Sequence, residues 1–259
     1  MARQESLVLF RGGIGNLSFY RTRDDGYLVR RKGGVSGNRF KTDPAFERSR
    51  KSSAEFSAAA RAGKLFRTAF HPFLHSMADS RITGRLNAAM VKVLHADTVN
   101  GHGQRKVVNG DPKLLEGFEF NKHCKLAKIF HVPFTASIDR ETNSLTVNIP
   151  AFIPDQMLTI PIGATHFRLK AGGANVDFEA DTYSIATSES NVLPIVEKVL
   201  EPMQLSQIVA APSVYPLFLV FGIEFLALVN DSEETLNNSA CNAMLIVKVD
   251  RGEVGKPQG

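Results

Sequence analysis

The sequence predicts an α+β protein: a basic β-hairpin arm and a short helical segment, followed by an antiparallel β-sandwich of immunoglobulin-like or jelly-roll type. Three observations predict it. Two strand-like runs flank Asp25-Gly26, apolar residues recur at helical spacing between Thr42 and His95, and from Leu114 onward the apolar period falls to two. The expected divisions are an arm over 1–41, a helical segment with its linker over 42–112, a β-domain over 113–252 and a tail over 253–259.

In the arm, Leu17 to Arg23 and Tyr27 to Arg31 read as strands, and Asp25-Gly26 suits the positive φ angles of a tight turn. In either plausible register, basic residues lie close together across the pair, which costs energy unless something negative neutralises them. Gly12, Gly13 and Gly15 allow a bend or the close approach of another chain, and Gly33 to Asn38 reads as a flexible connector. A helix is expected from Thr42-Asp43-Pro44, where Thr42 or Asp43 can cap free N–H groups, Pro44 fits the first turn and Glu47 favours the positive dipole end. Pro72 should break or kink it. A second helix is expected from Asp79 to His95, with Ile82, Leu86, Met90, Val93 and Leu94 on one stripe.

The strands expected next are Leu145 to Ile149, entered from a turn over Asp139 to Asn143, and Phe167 to Lys170. Gly172-Gly173-Ala174-Asn175 is then expected to turn the chain into Val176 to Phe178. Tyr183 and Ile185 suggest another short strand. Leu217, Leu219, Phe221, Ile223 and Phe225 form a long central one, and Ala243 to Val249 the last. Between Glu189 and Ala211 a short crossing helix and two edge strands both fit, Pro194 and Pro202 arguing against a central strand.

Apolar content of 43% and charged content of 22% argue against wholesale disorder. Two cysteines, Cys124 and Cys241, exclude a disulfide framework; two free thiols in a reducing compartment are expected, a single bridge being the alternative. The apolar run Leu7 to Phe10 is too short for a signal-peptide core, and Pro216 to Val229 is too short and too broken to cross a bilayer. A cytoplasmic protein with no membrane partner is expected. Charge is unevenly spread: residues 1–67 hold 15 Lys and Arg against 6 Asp and Glu, and the remainder 16 against 20. Such asymmetry points to an anionic partner for the first part, or to an acidic surface on a neighbouring copy.

The blocks Gly12 to Arg21, Gly26 to Lys32 and Thr42 to Arg50, together with Pro216 to Leu219 and Gly222 to Phe225, resemble a set of uncharacterised proteins found mainly in Bacteroidota genomes. The resemblance implies a bacterial, two-part protein and carries no particular chemistry.

Catalytic and metal motifs are weak. His71 and His75 are four apart, but Pro72 lies between them and no zincin glutamate follows. His123, Cys124 and His131 are expected on ordinary strand surfaces. No Gly-x-Ser-x-Gly elbow occurs, and Gly12-Gly13-Ile14-Gly15 lacks the Gly-Lys-Ser/Thr ending of a phosphate loop. No cofactor, metal or small-molecule substrate is expected. The basic arm stands above background: Arg21, Arg23, Arg30, Arg31, Lys32, Arg39 and Lys41 are interleaved with Tyr20, Tyr27 and other aromatics. Guanidinium groups beside aromatic rings suit phosphate neutralisation and base stacking. They equally suit docking onto acidic residues of another subunit, for which Asp177, Glu179, Asp181 and Glu189, or Asp231, Glu233 and Glu234, are candidates. The expectation is a non-enzymatic structural protein that self-associates through its arm into an oligomer, shell, tube or filament, with nucleic-acid binding by the arm and first helix as the alternative.

Overall fold

The computed structural model describes residues 2–22, 25–210, 214–229, 232–236 and 242–252, with backbone alone at 228–229 and 232–235. Arg23, Cys241 and the tail over 253–259 lie outside the described residues. The protein is α+β, and its contacts divide it into two compact units, Met1–Arg50 and Lys51–Gly259.

The N-terminal unit holds β1 (Ala2–Arg3), β2 (Gly12–Ile14), β3 (Leu17–Thr22) and β4 (Gly26–Arg31), arranged antiparallel in a four-stranded sheet of order β1-β4-β3-β2. Gly26 takes a φ of +74°, as the tight turn before β4 requires. Helix begins earlier than the sequence suggests. The Ser36 hydroxyl accepts a hydrogen bond from the Arg39 N–H and starts α1 (Gly37–Thr42) inside the expected connector. Pro44 disfavours helical backbone at Asp43, whose φ and ψ of −72° and 125° end α1. The Asp43 carboxylate then caps a short 3-10 turn over Pro44–Phe46 by accepting from the Ala45 N–H.

The long helix α2 (Glu47–Ala69) follows, and the division between the two units falls in its first turn. It ends before Pro72, which sits in the first turn of α3 (His71–Met77), and α4 (Ile82–His95) carries the apolar stripe read from sequence. The remaining elements are α5 (Leu126–Ile129), β5 (Thr135–Asp139), β6 (Ser144–Ile149), α6 (Pro154–Met157), β7 (His166–Asp177), β8 (Thr182–Glu189), β9 (Leu193–Pro194), β10 (Met203–Ile208), β11 (Leu217–Val229), β12 (Ser232–Thr235) and β13 (Ala243–Asp250).

In the larger sheet β7 and β11 are the central pair: β8 and β9 flank β7, and β12 and β13 flank β11. β10, β6 and β5 make a separate three-stranded sheet. Both faces of the larger sheet are covered. On one, Ala174, Val176, Phe218, Val220, Met244 and Ile246 pack with Phe66, Phe70, Phe73 and Met77 of the helices. On the other, Phe167, Leu169, Leu219, Phe221 and Ile223 pack with Leu145, Val147, Ile149 and Leu205 of the three-stranded sheet. Strand alternation explains this, since odd residues of β11 face one layer and even residues the other. A register shift opposite Leu219 and Val220 leaves Val247 unpaired in β13, which keeps Val249 on the helical side. The helices and strands of this unit therefore share a core. The boundary at Arg50/Lys51 differs from the sequence-based divisions at 41/42 and 112/113.

The expected turn at Gly172-Gly173-Ala174-Asn175 does not form; these residues lie inside β7, paired on both sides. Their small size serves packing. A Cβ on Gly172 would lie 2.5 Å from Cε2 of Phe73, and one on Gly173 would lie 3.1 Å from Cδ2 of Leu145. The ambiguous stretch 189–211 resolves as two strands, β9 with Pro194 at a sheet margin and β10 at an edge of the three-stranded sheet.

Candidate functional site

The register of the N-terminal sheet decides what its basic residues can do together. Across β3 and β4, Arg21 lies opposite Tyr27, Ser18 opposite Arg30, and Leu17 opposite Arg31. No two cations face each other directly, which corrects the expectation of close basic pairs. Across β3 and β4 each charge is placed beside a neutral side chain instead, which lowers the like-charge cost within that pair. Successive strand residues point to opposite faces. Arg21, Tyr27 and Arg31 therefore share one face with Phe19, while Tyr20 and Arg30 share the other with Ser18.

The guanidinium carbons of Arg11 and Arg21 both lie 5.4 Å from the centroid of the Tyr27 ring, and that of Arg30 lies 5.4 Å from the Tyr20 ring. Exposed contacts of this kind contribute about 0.5–1 kcal/mol each. Lys32 is drawn back onto the sheet, its Nζ donating to the Gly15 carbonyl at 2.9 Å. Arg39 is held by Asp43 at 3.0 Å and lies 6.0 Å from the Phe46 ring centroid, and Lys41 is exposed in the last turn of α1. Asp43 sits below the usual carboxylate range because the Ala45 N–H and the Arg39 side chain hydrogen-bond to its charged form. Arg23 lies outside the described residues. The structure thus brings Arg21, Tyr27 and Arg31 to one face, puts Arg30 and Tyr20 on the other, and leaves Arg39 and Lys41 on a separate helix.

Two features escaped the sequence reading. Arg11 joins Tyr27 although it belongs to no strand-like run. The apolar stretch Leu7–Phe10 is exposed, Leu7 completely, and so are Ile14 and Leu17 in the sheet. Its composition was visible, but nothing in the sequence says that no other segment covers it. The N-terminal unit holds eleven Lys and Arg against five Asp and Glu, a net charge of +6. Among its described residues only Leu28 is buried.

The acidic candidates are partly engaged within their own unit. Asp177 is buried and accepts from the Glu179 and Ala180 N–H groups, Glu179 pairs with Lys106 at 3.2 Å, and Asp181 pairs with Arg61 at 3.2 Å. Glu189 is exposed, and the side chains of Asp231, Glu233 and Glu234 lie outside the described residues.

His123, Cys124 and His131 are not on strands. The Asn121 carboxamide oxygen accepts from the His123 N–H and bends this segment into a turn, burying Cys124 in the core beneath the three-stranded sheet. His71 and His75 are exposed on α3. The closest approach to a catalytic constellation is around Glu55, which is buried on α2. His95 Nε2 lies 3.5 Å from its Oε2, His102 Nε2 lies 3.9 Å away, and Arg105 Nη1 lies 3.8 Å from Oε1. Ser52 Oγ is also 3.2 Å from His102 Nε2. Hydroxyl and carboxylate thus address the same ring nitrogen, whereas a nucleophile relay needs one on each. The Gly103 N–H donates to Glu55 at 2.7 Å, so this cluster clasps the 102–105 segment to α2. Among the described residues no group of His, Cys, Asp and Glu has the geometry to hold a metal ion, and no helix is long and apolar enough to cross a membrane.

No protein-family model matches the chain, and no curated protein matches it.

Proposed function

We propose that the protein is a non-enzymatic structural component that self-associates through its N-terminal arm, using the unit with the two facing sheets as a sandwich body. One observation carries this reading. The N-terminal unit forms a four-stranded sheet yet buries only Leu28 among its described residues, while Leu7, Val8, Leu9, Phe10, Ile14 and Leu17 stay exposed. A sheet this small has too little core to persist in water without something packed against it. An exposed apolar run of this kind marks an interaction surface, and the free edges of β1 and β2 offer unpaired backbone for strand addition. A second copy is the partner favoured here, because the C-terminal part is opposite in sign to the arm: beyond residue 67 acids outnumber bases, 20 to 16. Repetition of such a head-to-tail contact builds rings or filaments.

Sedimentation velocity on the full chain tests this. The parent is expected to form large species, and L7D with V8D, at positions with 106% and 60% exposure, is expected to return it to monomer without unfolding it. Unchanged particle size in the variant overturns the arm mechanism.

The aromatic-backed guanidinium groups favour a second reading, nucleic-acid binding. Arg11, Arg21, Arg30 and Arg31 make no ion pair among the described residues, which leaves them available to phosphate. Because Arg30 and Arg31 point to opposite faces, a single-stranded ligand on one face engages only one of them. Affinity for a single-stranded oligonucleotide should fall steeply with salt, and only one of R30Q and R31Q should flatten that slope, by about one ion. A salt-independent affinity counts against this reading.

A further inference from the structure

A cleft in the second unit has no role in the reading above. It encloses about 520 Å³ between α2, the segment over 105–108 and the turn that follows β7. That volume lies within the range of small-molecule sites. We propose that this cleft binds a small amphipathic anion, an apolar body carrying one phosphate or carboxylate group.

The lining divides by chemistry. Ala62, Val107 and Phe178 supply an apolar floor, all three buried in the core shared with the helices. Three cations, Arg61, Arg105 and Lys106, stand around it against one lining carboxylate, Glu179. Asp181 and Glu55, which pair with Arg61 and Arg105, are not among the lining residues. Burial and pairing leave these cations able to accept a ligand. Arg105 is largely enclosed, its Nε is buried with no hydrogen-bond partner, and its contact with Glu55, at 3.8 Å, is too long for a hydrogen bond. An anion in the cleft gives the Arg105 guanidinium a charge-assisted acceptor that the long Glu55 contact does not. Among the described residues Arg61 and Lys106 are held by exposed ion pairs, with side-chain exposures of 66% and 58%. Such pairs contribute little, so an incoming anion displaces Asp181 or Glu179 at small cost. The apolar floor excludes a bare inorganic ion as the best ligand, because it would leave Val107 and Phe178 wet.

Isothermal titration of the full-length chain with phenyl phosphate, phenylacetate and benzyl alcohol tests the proposal. Both anions are expected to bind saturably and benzyl alcohol is not; R61Q with K106Q should weaken the anions about tenfold. A58F places a ring in the mouth of the cleft from an exposed position and should abolish binding without altering charge. Circular dichroism checks that each variant is folded. Absence of saturable anion binding overturns the proposal, as does binding that neither the charge variant nor A58F changes. Equal affinity for benzyl alcohol overturns the part played by the cations. None of these outcomes depends on particle size, so they stand apart from the test of self-association.

Discussion

At the scale of single residues, Glu119 and Gly172 make opposite demands. Burial raises the Glu119 carboxyl, and the Leu126 N–H, Lys125 and Arg85 only partly offset it, so its pKa is pushed up to about 7 from the usual 4.5. The folded state therefore prefers the protonated acid. Its contribution to stability is complete below about pH 4.5, declines as pH rises, and is lost above about 7. E119Q should leave the melting temperature near the parent's at pH 4 and raise it at pH 8; an equal shift at both would show that charge is not the cause. Gly172 has no room for a methyl group, and G172A should cost about 1–3 kcal/mol in urea unfolding as the Phe73 ring is displaced. The sequence could not reveal this demand. Gly-Gly signals a turn and a tight contact equally, and only the neighbouring layers distinguish them. Capping and turn residues were more legible because their chemistry is local: the Asp43 carboxylate caps, and Gly26, lacking a Cβ, takes the positive φ of the turn.

At the scale of elements, periodicity recovered the two long helices α2 and α4 and the strands β3, β4, β6, β8, β11 and β13, while the short helices and β1, β2, β5 and β12 carried too few residues to show a period. It failed at β7, which is covered on both faces and so shows no alternation beyond Lys170, and it left 189–211 open because edge strands carry prolines as readily as loops do. The segment after α4, part of the linker expected within 42–112, is closely held. Burial alone would raise Asp97, but it accepts from the Lys106, Asn100 and Val99 N–H groups and from the Asn100 side chain, and these lower it to about 2. Its charged form stabilises the fold above about pH 3.8, and that contribution disappears as pH falls through about 2. D97A should cost about 1.5–3 kcal/mol at pH 7 and progressively less toward pH 2, read from chemical denaturation at each pH. The basic residues of the N-terminal unit were legible as a cluster. Their division between two faces was not, because a shift of one residue in register exchanges the faces.

At the scale of the whole molecule, the two units differ in what holds them. Among the described residues, one has Leu28 alone inside it, and the other has two extensive clusters on either side of a sheet. Backbone amides of β3 and β4 should exchange with deuterium at least about a thousandfold faster than those of β7 and β11 in dilute monomer, and slow markedly in any assembled form. Equal protection in the monomer would mean that the small sheet is stable unaided. The layered arrangement of the larger unit also constrains its biosynthesis. Phe66 stacks edge-on against Phe218 at 5.1 Å, but about 150 residues separate them in the chain. At roughly 5–20 residues per second, the strand that covers the helices leaves the ribosome about 8–30 s after they do. During that interval Phe66, Phe70, Phe73 and Met77 have no sheet to lie on, so the yield of folded protein in a cell is set by the chaperones that shield the nascent helices as well as by the stability of the finished fold.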